Sequence, residues 1–169
     1  VFGVAWAFVA HTDSRFDSEA LTRFVRAYQA IQPLTIGELW AVAITLRIVL
    51  VENLRRLAAR IMGGRSMREQ ADAMTDRLLG ENGHVADPTA LVPYELTPFS
   101  ESFMVQLVQR LRDQDPEATP AVAWLEKRLA AEGTNADDLV RKEHQLQGAT
   151  NVTVRNIITS MRLIADVDW

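Results

Sequence analysis

The sequence predicts an all-α fold, an irregular bundle of roughly eight helices around one long central helix. Apolar residues recur at steps of three or four through most of the chain, as on one face of a helix. No segment shows the strict apolar and polar alternation of a half-buried strand. A Ser, Thr, Asp or Asn also precedes several of the apolar runs, as at helix starts. The 169 residues are enough for one domain with a real core, so we expect a single helical domain over residues 1–169.

The central helix is predicted over about 36–62. Thr35–Glu38 has the spacing of a capping box, in which two side chains bind each other's backbone N–H groups. The apolar stripe from Leu39 to Ile61 is wider than one helix face, which predicts neighbours on more than one side. Gly63 and Gly64 are expected to end the helix, because glycine adopts the left-handed C-cap conformation without a steric penalty. Charged residues interrupt the apolar run, leaving too few uncharged residues to cross a bilayer.

Helices before the central one are predicted from the same signals. The apolar run 1–10 indicates a buried helix that stops near His11–Asp13. Asp17 or Ser18 can cap the next helix, which carries an apolar stripe on one face and arginines on the other.

After the central helix, a second capping box at Ser66–Glu69 predicts a short helix that stops at Gly80. Glu81–Thr97 contains Gly and Pro without a period, which is typical of a long surface loop. Further helix starts and a break are expected at Thr97-Pro98, Thr119-Pro120, Asn135 and Gly148.

Composition narrows the possible functions. The formal net charge of −4 weighs against a nucleic-acid partner, whose binding depends on neutralising phosphates. The chain has no cysteine, which removes disulfides, thiolate metal sites and cysteine nucleophiles together. Val1 stands where an initiator Met would, and Trp169 directly follows an apolar helical run, so we expect a fragment of a much larger protein.

Few residues have a spacing that is typical of a catalytic or metal-binding site. Asp113–Asp115 and Asp166–Asp168 are Asp-x-Asp triplets, which in nucleotide-sugar transferases hold a divalent metal. The first is expected in a turn between helices and the second lies at the end of the chain, and both positions favour solvated carboxylates instead. His11, His84 and His144 lie far apart without a second ligand at metal spacing, which favours surface or capping roles. We therefore expect no catalytic, cofactor-binding or metal-binding residue in this chain.

Arginines cluster along the second half of the central helix and just beyond it. Such a cluster suits an anionic membrane surface or an acidic partner domain. The simpler interpretation is that these side chains complement the helix dipole and stay solvated. The candidate interaction surface consists of Arg47, Arg55, Arg56, Arg60, Arg65 and Arg68.

Aromatic side chains supply an alternative, a domain that binds carbohydrate or a nucleotide sugar through stacking faces. The candidates are Tyr28, Trp40, Tyr94 and Trp124. The apolar helical stripes on which they lie favour core roles instead, with Tyr94 in the long loop as the least certain. An oligomerisation domain is a third alternative, and would need only an exposed apolar patch.

Several segments resemble the bacterial cyclic β-1,2-glucan synthases. In the first half these are Trp6–Phe8, His11–Asp13, Tyr28–Gln29, Gln32–Ala41, Leu46–Arg47 and Glu52–Ala58. In the second half they are Gln109–Gln114, Trp124–Glu126, Glu143–Gln145 and Asp168–Trp169. The similarity runs in the same order over nearly the whole chain and is weakest over Glu81–Thr97.

The resemblance implies a very large parent enzyme that polymerises glucose from UDP-glucose with a divalent metal and closes the β-1,2 chain into a ring. This chain is similar to the helical region ahead of the family's glycosyltransferase domain. No catalytic residue is carried over, because neither Asp-x-Asp triplet matches the family's motif in position. The resemblance thus implies a non-catalytic module at the cytoplasmic face of the bacterial inner membrane. Its expected partner is the transferase domain of the same chain, which it would contact through the arginines and Glu81–Thr97.

Overall fold

The computed structural model describes residues 1–79, 98–112 and 120–167. The only regular secondary structure in these residues is α-helix, without a β-strand, which confirms the all-α class. The helices are α1 Phe2–His11, α2 Ser18–Gln29, α3 Ile36–Leu79, α4 Glu101–Leu111, α5 Pro120–Ala131 and α6 Ala136–Asp166. Gly80 and Glu81–Thr97 lie outside the described residues.

The described helices number six rather than about eight, because two expected glycine breaks are absent. α3 continues through Gly63 and Gly64, and α6 continues through Gly148. Of the described glycines, Gly133 has a positive φ, 71°, and it does end α5. There the N–H of Thr134 bonds to Leu129 O at 3.0 Å, as in a Schellman cap. A helical glycine costs about 1 kcal/mol relative to alanine, which the packing of the following residues outweighs.

Gly64 has a packing role. A Cβ added to it would lie 3.3 Å from Ser102 Oγ of α4. The glycine thus lets the start of α4 approach the backbone of α3. A Cβ added to Gly63 would meet open space, so the two neighbouring glycines differ in the room they leave for a side chain.

Three helices begin at the side-chain caps that the sequence predicted. Thr35 N donates to Glu38 Oε2 at 2.8 Å and Glu38 N donates to Thr35 Oγ1 at 3.3 Å, which confirms the first capping box. Asp17 accepts from Ala20 N at 2.8 Å, as expected for α2. Asn135 caps α6 by accepting from Asp138 N at 2.9 Å.

Two expected helix starts are wrong. Ser66–Glu69 lies inside α3, where Glu69 pairs with Arg65 at 3.0 Å instead of capping. α4 begins at Glu101 rather than at Pro98, because Ser100 Oγ accepts from Phe103 N at 3.3 Å.

The fold divides into two compact units, residues 1–59 with 148–169 (unit 1) and residues 60–147 (unit 2). Unit 1 has its own core from α1, α2, the first part of α3 and the last part of α6. Its buried apolar residues are Ala5, Phe8, Val9, Phe16, Leu21, Val42, Leu46, Val49, Leu50, Leu57, Ile157 and Ile164.

A polar turn after α1 forms hydrogen bonds with two other helices of unit 1. Asp13 and Ser14 have positive φ values of 49° and 62°, which turns the chain sharply without glycine. Ser14 is buried, and its hydroxyl accepts from Asn53 Nδ2 of α3 at 2.8 Å. Ser160 of α6 donates to Ser14 O at 2.7 Å. Buried polar groups in this turn are thus paired.

Unit 2 has a second core from the rest of α3, α4, α5 and the first part of α6. Its buried residues are Ala71, Met74, Leu78, Phe103, Met104, Val105, Leu107, Val108, Leu111, Ala121, Leu125, Leu129 and Leu139. Phe99 stacks on Phe103 with ring centroids 4.4 Å apart, and Trp124 meets Phe99 edge to face. The core role expected for Trp124 is therefore confirmed.

Candidate functional site

The candidate arginines divide between the units. Arg47, Arg55 and Arg56 belong to unit 1, whereas Arg60, Arg65 and Arg68 belong to unit 2. Most of them have a partner among the described residues. Whether they form an interaction surface depends on which charges those partners leave available.

Arg47 serves an internal contact. Its guanidinium donates to Ile164 O at 3.1 Å, near the end of α6. The last carbonyl groups of a helix lack partners within the helix and carry partial negative charge, so a cation there is stabilising. Arg47 thus connects α3 to α6 inside unit 1.

Glu52 is held between two arginines on α3. Arg55 donates to it from two nitrogens, at 2.7 and 2.9 Å, and Arg56 donates from Nε at 2.9 Å. These hydrogen bonds, from Arg55 first and then Arg56, lower the pKa of Glu52 from 4.5 to about 2. Arg56 also lies over the Trp6 ring, 4.7 Å from its centroid. This group therefore keeps one net positive charge rather than two.

In unit 2 two arginines are paired. Arg65 bonds to Glu69 at 3.0 Å, and Arg68 lies 3.6 Å from Glu143. Arg60 has no hydrogen bond or ion pair to any described residue. Of the six candidates, Arg60 thus has the most available charge.

Glu143 is a buried carboxylate for which the sequence predicted no role. Its side chain is 10% exposed. It accepts from Gln147 Nε2 at 3.0 Å and from Ser102 Oγ at 3.3 Å, in addition to the Arg68 contact. These partners lie on α3, α4 and α6, so Glu143 joins three helices of unit 2. Spacing along the sequence gives no signal for such a contact.

An exposed apolar face lies on α3 in unit 1, opposite the buried one. Its members recur at steps of four, four, four and three, so they share one side of the helix. They are Ile36 at 75% exposed, Trp40 at 83%, Ile44 at 59%, Ile48 at 54% and Val51 at 51%. We call these five residues the outer apolar face.

The outer apolar face corrects the expectation for Trp40, which was placed in the core. The opposite side of α3 supplies the core of unit 1 with Val42, Leu46 and Leu50. The broad stripe did indicate a helix with neighbours on two sides, but unit 1 covers one of them. Periodicity could not show which side stays exposed, because apolar residues occur on both.

The other aromatic candidates are less available. Tyr28 is half-buried and its hydroxyl donates to Gln32 Oε1 at 2.9 Å. Trp124 packs against the core of unit 2. Tyr94 lies outside the described residues.

A cavity of about 560 Å³ lies in unit 2 between α4, α5 and the start of α6. Core residues such as Leu125 and Val140 line it, with Arg112, Arg141 and His144 among its polar lining. The volume is in the range of small-molecule pockets. The described residues that line it include no Phe, Tyr or Trp, so it lacks the large aromatic face on which a sugar ring usually stacks.

The remaining candidates do not come together. His11 Nδ1 lies 2.8 Å from Ala7 O at the end of α1, which fits the expected capping role. His84, Asp113–Asp115 and Asp168 lie outside the described residues. Among the residues that are described, no group of three or more His, Asp or Glu side chains could hold a metal ion.

None of the described helices contains an apolar stretch long enough to cross a bilayer.

Comparison with known proteins gives one informative match. No family model matches the chain. The chain is 39% identical over 166 residues to the cyclic beta-(1,2)-glucan synthase NdvB of Rhizobium meliloti (strain 1021). The alignment covers 98% of this chain and 6% of that relative. It confirms the resemblance seen in the sequence, and this chain spans only a small part of the relative's length.

Proposed function

We propose that this chain is a segment of a cyclic β-1,2-glucan synthase and works there as a helical docking module for the glycosyltransferase domain. The observation that carries the proposal is the 39% identity over 98% of the chain to a protein of that name. Because the match extends over nearly all of this chain, it supports a common role for the whole segment rather than for one motif.

In this proposal the parent enzyme takes glucose from UDP-glucose with the help of a divalent metal. Both ligands are assigned to other parts of the synthase, as the sequence resemblance implies. The parent is placed in the bacterial inner membrane with this segment on the cytoplasmic side, as the sequence resemblance implies.

Two features support docking. The outer apolar face leaves Trp40 83% exposed, and contiguous apolar patches of this kind commonly mark interaction sites. On the same helix, Arg60 has no ion pair with any residue that the structure describes, and its positive charge suits an acidic partner surface. Docking needs no reacting group within the segment.

Binding of carbohydrate or UDP-glucose is the alternative. Trp40 is the described aromatic candidate that a sugar could reach most easily, but its neighbours on the helix face are Ile36 and Ile44. A sugar site needs convergent hydrogen-bonding groups beside the stacking ring. The observations thus favour a protein partner.

The proposal is tested by replacing the matched segment of the R. meliloti synthase with this chain. Membranes carrying the chimera are expected to incorporate glucose from UDP-glucose into cyclic glucan, whereas membranes with the segment deleted are not. A chimera that is made at normal levels but yields no cyclic glucan would contradict the assignment.

Within the chimera, the double variant Arg55→Ala/Arg56→Ala tests the arginines as contacts. It should retain the helical circular dichroism spectrum but weaken cyclic glucan synthesis. Arg56→Lys is the control for packing against Trp6, because it keeps a positive charge and an aliphatic stem. Full activity of the double variant would exclude these two arginines from docking.

A ligand titration separates the alternatives. The purified chain is titrated calorimetrically with UDP-glucose and with linear β-1,2-glucan. We expect no saturable heat up to millimolar concentration. Saturable binding of either ligand would favour the binding-domain alternative. Light scattering on the same sample tests the oligomerisation alternative, for which a dimer mass is the expected sign.

A further inference from the structure

We propose that the outer apolar face of α3 is the docking surface itself, and that its occupant is an amphipathic α-helix from the rest of the synthase polypeptide. This inference rests on the proposed function, because it needs a parent chain that extends beyond these residues. It adds the face, the chemistry and the packing mode of the contact.

α3 is apolar on two opposite sides. One side is used by the core of unit 1, where Leu46 and Leu50 are each 1% exposed. The other side presents Trp40 and Ile44 at 83% and 59% exposed. A helix that is apolar around most of its circumference is normally covered on all of those sides. Unit 1 therefore leaves a helix face that needs a partner.

Arginines border the outer apolar face. Arg47 lies at one edge and already donates to Ile164 O. Arg55 follows Val51 by one turn and is bonded twice to Glu52. A helix that lies on an anionic lipid surface uses basic residues at its borders to bind headgroups. Here those guanidinium groups have internal partners, which favours an apolar protein surface over a membrane.

The spacing of the outer apolar face determines how a second helix can pack on it. Ile36, Trp40, Ile44 and Ile48 are four residues apart, so they form a ridge of the i±4 type. Such ridges pack into the grooves between equivalent ridges of a second helix, with axes crossing at about −50°. The matching occupant is a helix whose own apolar residues recur every four positions.

The helix that covers this face comes from the same polypeptide. The matched relative is covered over 6% of its length, so most of such a polypeptide lies outside this segment. A helix in the same polypeptide is present at high effective concentration, and it docks without the entropy loss of a separate partner. This favours the rest of the chain over a second copy.

The test uses the full chimeric synthase described above. The photo-crosslinking residue p-benzoylphenylalanine replaces Ile44 in one variant and Leu163 in a control, because Leu163 is a similarly exposed apolar residue of unit 1, 45% against 59%. After irradiation, digestion and mass spectrometry, the Ile44 probe should be joined to peptides of the same polypeptide outside the segment. The Leu163 probe should yield at least about tenfold fewer such products.

Three outcomes would overturn the inference. They are adducts of the Ile44 probe with lipid, adducts with a second isotope-labelled copy, and equal products from both probes. If one of these occurs while the chimera still makes cyclic glucan, the proposed function stands and this surface is wrong. If the chimera makes no cyclic glucan, the proposed function itself fails.

A substitution provides an independent measurement. Ile44→Asp should lower cyclic glucan synthesis by about tenfold or more, since it places a charge at the centre of the contact. Leu163→Asp should leave synthesis within about twofold. The thermal midpoint of the purified 169-residue chain should be nearly unchanged by both, because both positions are exposed. Normal synthesis by the Ile44→Asp enzyme would contradict the proposal.

Discussion

Ser160 donates a hydrogen bond to the carbonyl oxygen of Ser14 at 2.7 Å, across 146 residues of sequence. The same hydroxyl accepts from Phe16 N at 2.7 Å. One side chain of α6 thus bonds to Ser14 within the sharp turn that follows α1 and to Phe16 just beyond that turn. Its hydroxyl holds the left-handed backbone of that turn against the core of unit 1.

Removing this hydroxyl should destabilise the chain. Ser160→Ala deletes both hydrogen bonds in a buried site, which we expect to cost about 1–3 kcal/mol of unfolding free energy. Urea denaturation followed by circular dichroism measures the change. Thr159→Ala, at the exposed neighbouring position, is the control and should stay within about 0.5 kcal/mol. Equal effects of the two variants would show that the turn does not depend on Ser160.

The two glycines of α3 should respond differently to alanine. Gly63→Ala should stabilise the chain by about 0.5–1 kcal/mol, because it removes backbone freedom from the unfolded state and finds open space. Gly64→Ala also removes backbone freedom from the unfolded state, but it places its Cβ 3.3 Å from Ser102 Oγ. Its net effect on stability should therefore be a smaller gain or a loss. Thermal denaturation of both variants checks this difference. Gly64→Ala in a Ser102→Ala background should recover part of the gain.

Glu143 and Arg68 should show coupled stability effects. Glu143→Gln removes the charge 3.6 Å from Arg68, and we expect it to cost about 1–3 kcal/mol because Glu143 is nearly buried. In a double-mutant cycle with Arg68→Ala, the coupling energy should be about 0.5–2 kcal/mol. Arg65→Ala, which breaks an exposed pair with Glu69, is the control and should cost at most about 0.5 kcal/mol. A coupling energy of zero would mean that solvent screens the Arg68 contact completely.

Glu52 should make stability depend on pH in acid. Its pKa in the folded chain is about 2, below its ordinary value of 4.5. Because the folded-state pKa is the lower one, the stabilising effect is fully present above about pH 4.5 and is lost as the pH falls towards 2. The difference in unfolding free energy between the unmutated chain and the Glu52→Gln variant should therefore be constant above pH 5 and shrink below pH 4.5.

The titration of Glu52 is measured directly from the NMR shift of its side-chain carboxyl carbon. A midpoint close to 4.5 would contradict the bonded arrangement with Arg55 and Arg56. Arg55→Ala should raise the midpoint more than Arg56→Ala, because the Arg55 hydrogen bonds lower this pKa most.

Local chemistry made part of the fold predictable. The Thr35–Glu38 box and the Asn135 cap depend on residues three apart, so the sequence contains the whole interaction. The glycines differ because their role depends on distant residues. Gly133 ends a helix as expected, whereas Gly64 stays helical, beside Ser102 of another helix. Sequence alone could not distinguish a stop from a close approach.

The candidate site was less predictable for a related reason. The spacing of the arginines along the sequence predicted the cluster. It could not predict the contacts of Arg47 with Ile164 or of Arg68 with Glu143, because these join residues far apart in sequence. Trp40 was expected in the core because periodicity identifies an apolar side without showing what covers it. The arrangement of helices around α3 decides that, and it depends on the whole chain.

The division into units also affects the order of events during translation. Unit 2 consists of one continuous stretch, residues 60–147, whereas unit 1 needs residues from both ends of the chain. On the ribosome, the complete sequence of unit 2 is therefore synthesised first. Unit 1 must wait for Ile157 and Ser160, which come from the last turns of α6. Until then the apolar residues of α1 and α2 lack the helix that covers them, and nascent chains arrested before residue 157 are the ones that should require a chaperone.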